Sequence, residues 1–177
     1  MPPNVAIKMK KDAPFVLMEV HMNNANIESG IQSRPGFKIT VLPLSEPQPA
    51  TPIVEANWLW VGATLSSIQI PPGEPYVEVT SEFTIPLIFN VQADVFASLS
   101  HMHYIGRKIW VEIIKPDQQA FTAACEPLYN NENQEVIPLK STLTVAAGDT
   151  IVTHCVYNST LRTEMTIGGE EVRDFRA

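Results

Sequence analysis

Residues 77–85 read Val-Glu-Val-Thr-Ser-Glu-Phe-Thr-Ile and follow the turn Pro71-Pro72-Gly73-Glu74. Alternation of apolar and polar side chains puts one set on a buried face and the other in water, so this stretch reads as a half-buried β-strand. Working outward, residues 36–42 (GFKITVL) alternate Phe37, Ile39 and Val41 against Lys38 and Thr40 and read the same way. Residues 15–21 (FVLMEVH), 58–70, 91–104, 108–114 (KIWVEII), 121–125, 139–145 and 150–157 supply further apolar or alternating runs. Turn chemistry separates them at Arg34-Pro35-Gly36, Pro116-Asp117 and Ala147-Gly148-Asp149. Residues 45–52, with three prolines, read as an extended connection. Residues 91–99 satisfy the helical period as well, but the β-branched and aromatic residues around them favour a strand. The chain carries 15 prolines. Each proline inside a helix costs about 3 kcal/mol, so long helices are excluded. About eight to ten short strands predict an all-β fold, an antiparallel jelly-roll β-sandwich, with a small barrel as the rival.

The chain of 177 residues has room for one ordinary domain and a small second one. Hydrophobic residues make up 45% and charged residues 18%, the balance of a chain with a packed core. Its 19 acidic and 12 basic residues give a formal charge of −7, which argues against a broadly basic nucleic-acid surface. No apolar run approaches the roughly 18 residues of a membrane span. Met1-Pro2-Pro3-Asn4 lacks the apolar stretch of a secretory signal, so the chain is expected to be intracellular or a trimmed piece of something longer. Nucleophile elbow, phosphate-binding glycine loop and Cys-x-x-Cys are all missing, and Gly168-Gly169 reads as a turn. Asn158-Ser159-Thr160 matches the N-glycosylation triplet, which matters only in a secreted chain.

The four histidines carry more information. His101-Met102-His103 is the most specific local feature. In a strand, residues i and i+2 project from one face, roughly 6.6 Å apart along the chain. Two imidazoles so placed can converge on one copper, zinc, iron or nickel ion. The plainer reading is two polar residues on a solvent face. His21, with Glu19 on its own face, reads as a hydrogen-bonded strand end. His154, beside Cys155, reads as a packed or surface histidine. Met165 offers a soft thioether, although a core or surface methionine is the commoner role.

Taken together, these segments resemble the copper type II, ascorbate-dependent monooxygenases, the family of dopamine beta-monooxygenase and peptidylglycine alpha-hydroxylating monooxygenase. Leu17-Met18-Glu19-Val20-His21 looks like the family's strand ending in Val-His, and residues 33–41 like the strand that follows it. Ile70-Pro71-Pro72-Gly73-Glu74 is a family turn, and residues 101–108 (HMHYIGRK) resemble its His-Thr-His block. Residues 148–155 resemble Gly-Asp-x-Leu-x-x-x-Cys, and Arg162-Thr163-Glu164 with Ile167-Gly168-Gly169 resembles the stretch before its last ligand. The likeness covers about residues 15–169 in order.

The resemblance implies two jelly-roll domains sharing the copper chemistry. One copper, on three histidines, relays electrons from ascorbate. The other, on two histidines and a methionine, activates oxygen for hydroxylation of an aliphatic carbon. By this likeness residues 1–22 correspond to the end of the first domain and residues 23–177 to the second, truncated at its end. His101 and His103 correspond to the oxygen-activating pair, and His21 to the third histidine of the electron-transfer site. Copper and ascorbate are the implied cofactors. The implied partners are a small-molecule substrate and a missing upstream first domain, with no nucleic acid and no membrane span. The implied setting is a secretory or vesicular lumen.

There are departures from the family pattern. The family's Glu-Met-Cys block after Gly-Gly is replaced by residues 170–177 (EEVRDFRA). Met165 precedes Gly-Gly and does not align with the ligand. Leu99 and Ser100 stand where the family has a substrate-binding arginine. Cys155 loses its family partner, leaving it free or paired with Cys125. The alternative is therefore a degenerate jelly-roll module that binds or interacts without catalysis.

Overall fold

Strand β9 (Thr150–Tyr157) lies between β4 (Val77–Thr84) and β6 (Gly106–Ile114), antiparallel to both, and β7 (Ala120–Glu126) closes a four-stranded sheet in the order β4-β9-β6-β7. The structure is a computed structural model that describes residues 4–9, 28–34, 36–43, 50–63, 68–90 and 92–168. The chain divides into two units, Met1–Trp58 and Leu59–Ala177. In the first, β1 (Val5–Ala6) pairs parallel with β2 (Val54–Glu55). In the second, β5 (Gln92–Ser98) pairs with β8 (Ile137–Ala146), and β3 (Gln69–Ile70) with β10 (Thr166–Ile167), both antiparallel. The described residues are all-β, as the prolines and alternation predict, and contain no helix long and apolar enough to cross a membrane.

Register explains which face of the large sheet is buried. Val77 pairs with Tyr157, Val79 with Cys155, and Ile109 with Cys155. Successive side chains alternate, so these share one face, and the core of Ile70, Met102, Ile105, Ile109, Tyr129 and Tyr157 forms there. On the same face Thr153 pairs with Ser81 and Val111, and its buried hydroxyl has no hydrogen-bond partner.

The other face holds a polar cluster. Thr80 and Trp110 both pair with His154, whose ring stacks on the indole at 4.4 Å between centroids and 3° between planes. Its Nδ1 lies 2.9 Å from Glu78 and its Nε2 3.1 Å from Glu112. Lys108 places its ammonium 4.3 Å from the Trp110 ring. His154 is thus a packed histidine, as its sequence context suggests, with both nitrogens engaged.

The turns follow the sequence. Gly148 has φ +92°, and the buried Asp149 beside it accepts from the Ala146 N–H at 2.8 Å and from Lys115 at 2.6 Å. Gly73 has φ +77°, which only glycine adopts readily. Its turn is tied to the far end of β9 through Ser159, whose hydroxyl donates to the Pro71 carbonyl and accepts from the Glu74 N–H. Ser159, the middle residue of the glycosylation triplet, is therefore structural.

Two expectations need correction. Residues 36–42 are described but form no strand, and Phe37, Ile39 and Val41 are 61–65% exposed. Alternation names a face but supplies no partner strand, and a strand without ladder hydrogen bonds gains nothing over coil. The apolar run 58–70 yields only the two residues of β3 among those described. The strand expected over residues 15–21 lies outside the described residues.

Two measurements check this architecture. Thr153→Val removes an unpartnered buried hydroxyl and should stabilise the protein by about 1 kcal/mol in urea unfolding, where an ordinary core threonine would lose stability. The Tyr76 hydroxyl, at 2.7 Å, and then the His154 imidazole hold the Glu78 carboxyl below the ordinary glutamate range. A depressed folded-state value adds stability that is present above the unfolded-state value and is lost as pH falls through the folded one. Tyr76→Phe should therefore move the Glu78 carboxyl titration, followed by NMR, up towards that of a free glutamate.

Candidate metal centre

His101-Met102-His103 does not lie in a strand. β5 stops at Ser98, β6 starts at Gly106, and the tripeptide occupies the connection between them. The expected two-residue alternation survives without the ladder. His101 is exposed, Met102 is 3% exposed, and His103 is half-buried.

Tyr129 maintains this arrangement. Its hydroxyl accepts from the Met102 N–H at 2.8 Å and donates to the Met102 carbonyl at 2.7 Å. One phenol thus replaces the two bonds that a partner strand would have supplied. Burial pushes the phenol pKa up, so the proton it needs for donation is retained. Its own N–H bonds to the Arg107 carbonyl at 2.9 Å.

Gly106 allows the chain to turn back onto Met102. A Cβ at this position would sit 2.7 Å from the Met102 Cβ and 3.0 Å from the His103 carbonyl, so no larger residue fits. The Gly106 N–H bonds to that same carbonyl at 2.8 Å. Arg107 folds back to donate to the Tyr104 and Gly106 carbonyls at 2.8 and 2.7 Å. The Gly-Arg of the HMHYIGRK block is thus the local scaffold of the two histidines.

With Met102 anchored inward, the flanking imidazoles lie near each other, ring centroids 5.3 Å apart and planes at 83°. Two imidazoles sharing one tetrahedral ion, each nitrogen about 2.0 Å from it, have centroids about 5 Å apart. The spacing fits a common ion, and imidazole is a donor suited to copper. The His101 Nδ1 lies 2.7 Å from the Gln134 Oε1. Among the described residues no group of three or more His, Cys, Asp or Glu side chains gathers as a cage. The pair could therefore supply two donors and leave the remaining positions to other ligands.

The other sequence candidates are placed elsewhere or not at all. His21 lies outside the described residues. Met165 is half exposed, one residue before β10. Cys125 and Cys155 are both free. Cys125 pairs with Trp110 and Cys155 with Ile109, which puts them on opposite faces of the sheet with β6 between them. A disulfide needs Cβ atoms about 3.8 Å apart, so that pairing is excluded. The half-buried Cys155 thiol is pushed up by burial, an effect its hydrogen bond with Tyr157 partly offsets. Tyr129 and Gln134 were missed by the sequence reading, and no local motif marks either.

A family model described as the C-terminal domain of copper type II ascorbate-dependent monooxygenase matches residues 55–174. The chain is 30% identical over 181 residues to DBH-like monooxygenase protein 1 of Homo sapiens, covering 97% of this chain and 29% of that protein. It is 27% identical over 164 residues to tyramine beta-hydroxylase of Caenorhabditis briggsae, with coverage of 90% and 27%. With dopamine beta-hydroxylase of Rattus norvegicus it shares 28% identity over 163 residues, with coverage of 88% and 25%. The chain thus spans less than a third of the length of these curated relatives.

The Tyr129 clamp can be tested by itself. Tyr129→Phe leaves two buried backbone groups without partners and should cost about 2–4 kcal/mol of unfolding free energy. Amide exchange should accelerate most at Met102. A uniform rise in exchange across the sheet would show that the hydroxyl has no special hold on this tripeptide.

Proposed function

The chain belongs to the copper type II, ascorbate-dependent monooxygenase family, and from that premise we propose that it is the oxygen-activating half of such an enzyme, with His101 and His103 as copper ligands. The observation that carries this reading is the 5.3 Å spacing of the two rings on either side of a buried methionine. The family model and the relatives' names support copper, ascorbate and monooxygenation as the chemistry.

The protein's own part is positional. Tyr129 and Gly106 fix the backbone of the tripeptide, and the inward Met102 commits both neighbours to the outside. Exposure of His101 leaves room for a substrate beside the pair. Copper bound there would supply one-electron redox chemistry for inserting an oxygen atom into an aliphatic C–H bond, with ascorbate as reductant. Substrates are proposed to be small molecules, as the names tyramine and dopamine beta-hydroxylase suggest for the relatives.

The proposal extends to the domain assignment and to His21, which lies outside the described residues. Residues 1–22 are assigned to the end of a first domain and residues 23–177 to a second, jelly-roll domain. His21 is assigned to an electron-transfer copper completed by that first domain. A secretory or vesicular lumen is the proposed setting. The alternative, a non-catalytic module of the same family, is supported by residues 170–177 (EEVRDFRA), which stand in place of the family's Glu-Met-Cys block.

Copper titration separates the readings. The chain should take up one copper per molecule, and the double change His101→Ala/His103→Ala should weaken uptake about 100-fold or more in a Cu(I) chelator competition. Unchanged uptake in the double variant would remove these histidines from the site. Copper uptake without ascorbate-dependent oxygen consumption, even with the upstream domain restored, would favour the module.

A further inference from the structure

An imidazole can ligate only through a nitrogen that carries a lone pair, so the position of its proton decides which atom faces a metal. At His101 the structure determines that position through a third residue. The His101 Nδ1 lies 2.7 Å from the Gln134 Oε1, and the Gln134 Nε2 donates to the Asn131 carbonyl at 2.7 Å. The Asn131 backbone carbonyl can only accept. Turning the amide over would put the Gln134 oxygen against that carbonyl oxygen and its NH₂ against the imidazole, losing the bond to Asn131. The amide is therefore oriented, and the oxygen facing Nδ1 requires a proton on Nδ1.

The Asn131 carbonyl is itself held. Asn130 to Asn133 form a turn closed by the Asn133 N–H on the Asn130 carbonyl at 3.1 Å, and the Glu132 N–H bonds to the Asn130 side chain at 3.0 Å. This turn begins directly after Tyr129. One short segment thus grips the tripeptide twice, on the Met102 backbone through Tyr129 and on the His101 ring through Gln134.

We propose that Gln134 is a positioning residue that holds His101 as its Nδ1–H tautomer, so that Nε2 presents the lone pair. The purpose of this device rests on the copper reading above; its existence does not. In the amide chain the Asn131 carbonyl accepts from Gln134, and Gln134 accepts from His101. This is the outer-shell arrangement that fixes ring orientation and tautomer in metal-binding histidines. Gln134 touches no reacting atom in this scheme.

The test is made on metal-free protein labelled with ¹⁵N-histidine at pH about 8.5, above the ordinary imidazole range. His101→Gln identifies the His101 signals by their loss. Wild type should show a pyrrole-type shift at Nδ1 and a pyridine-type shift at Nε2. Gln134→Leu removes the acceptor from an exposed position and should move His101 towards Nε2–H, the form free histidine prefers. Gln134→Glu keeps an acceptor oxygen and should restore Nδ1–H. Nε2–H in the wild type, or an unchanged tautomer in Gln134→Leu, would overturn the proposal. In the copper titration, Gln134→Leu should weaken binding about 10–100-fold and Gln134→Glu should recover it. Failure of the wild type to bind copper would overturn the copper reading, while the tautomer result would stand.

Discussion

The structure of the candidate site depends on one phenol bonded to one peptide unit. Met102 has a buried side chain, yet its backbone lies in a connection with no partner strand. Its N–H and C=O would be left unpaired in a dry environment, at about 1–3 kcal/mol each. The Tyr129 hydroxyl, donor and acceptor at once, satisfies both. Because the clamp holds the peptide from the core side, the side chain of Met102 stays inward and those of His101 and His103 are turned out. The nearness of the two imidazoles follows from that choice.

The large sheet shows the same logic on another scale. β9 divides an apolar face, which includes Tyr157, Cys155 and Val79, from a face that gathers Glu78, His154, Trp110 and Glu112. His154 occupies the middle of that second face and has a carboxylate on each nitrogen. It is unavailable as a ligand for a reason unrelated to its residue type. His101 has one nitrogen engaged by Gln134 and a ring that is otherwise exposed. The partners around a histidine, more than its presence, decide whether it can serve a metal.

Much of the sheet was legible in the sequence because its signals are local. Alternation over residues 77–85 and the strand-forming run over residues 150–157, with glycine turns at Gly73 and Gly148, mark β4 and β9 nearly to the residue. The identical signal over residues 36–42 failed, because alternation needs a neighbouring strand to become structure. The His-x-His pattern was visible but its setting was misread: β5 ends at Ser98, and the alternation is kept by a side chain 27 residues away. Gln134 is 33 residues from His101 in sequence. Neither separation follows a helical or strand period, so only the folded chain brings these groups together. Whether Cys155 is free or paired with Cys125, which the sequence left open, is decided by the fold in favour of free thiols. Composition counts thiols, whereas register put β6 between them.

Location past the end of a strand suits a reactive metal better than location within one. Inside a sheet both sides of a residue are flanked by neighbouring side chains at about 5 Å, which crowds any ion that must also admit a small reactant. At a strand end the flanks are open, but loops are mobile, and a loosely held pair of ligands binds weakly. This connection escapes that conflict by being tied at several points: the Tyr129 clamp on Met102, the Gly106 contact beneath it, the Arg107 bonds to Tyr104 and Gly106, and Gln134 on the His101 ring. Each tie acts on backbone or, at His101, on one nitrogen of the ring. On the copper reading proposed above, a further soft donor beside these two imidazoles would determine the preference for Cu(I), and with it the redox behaviour of the site.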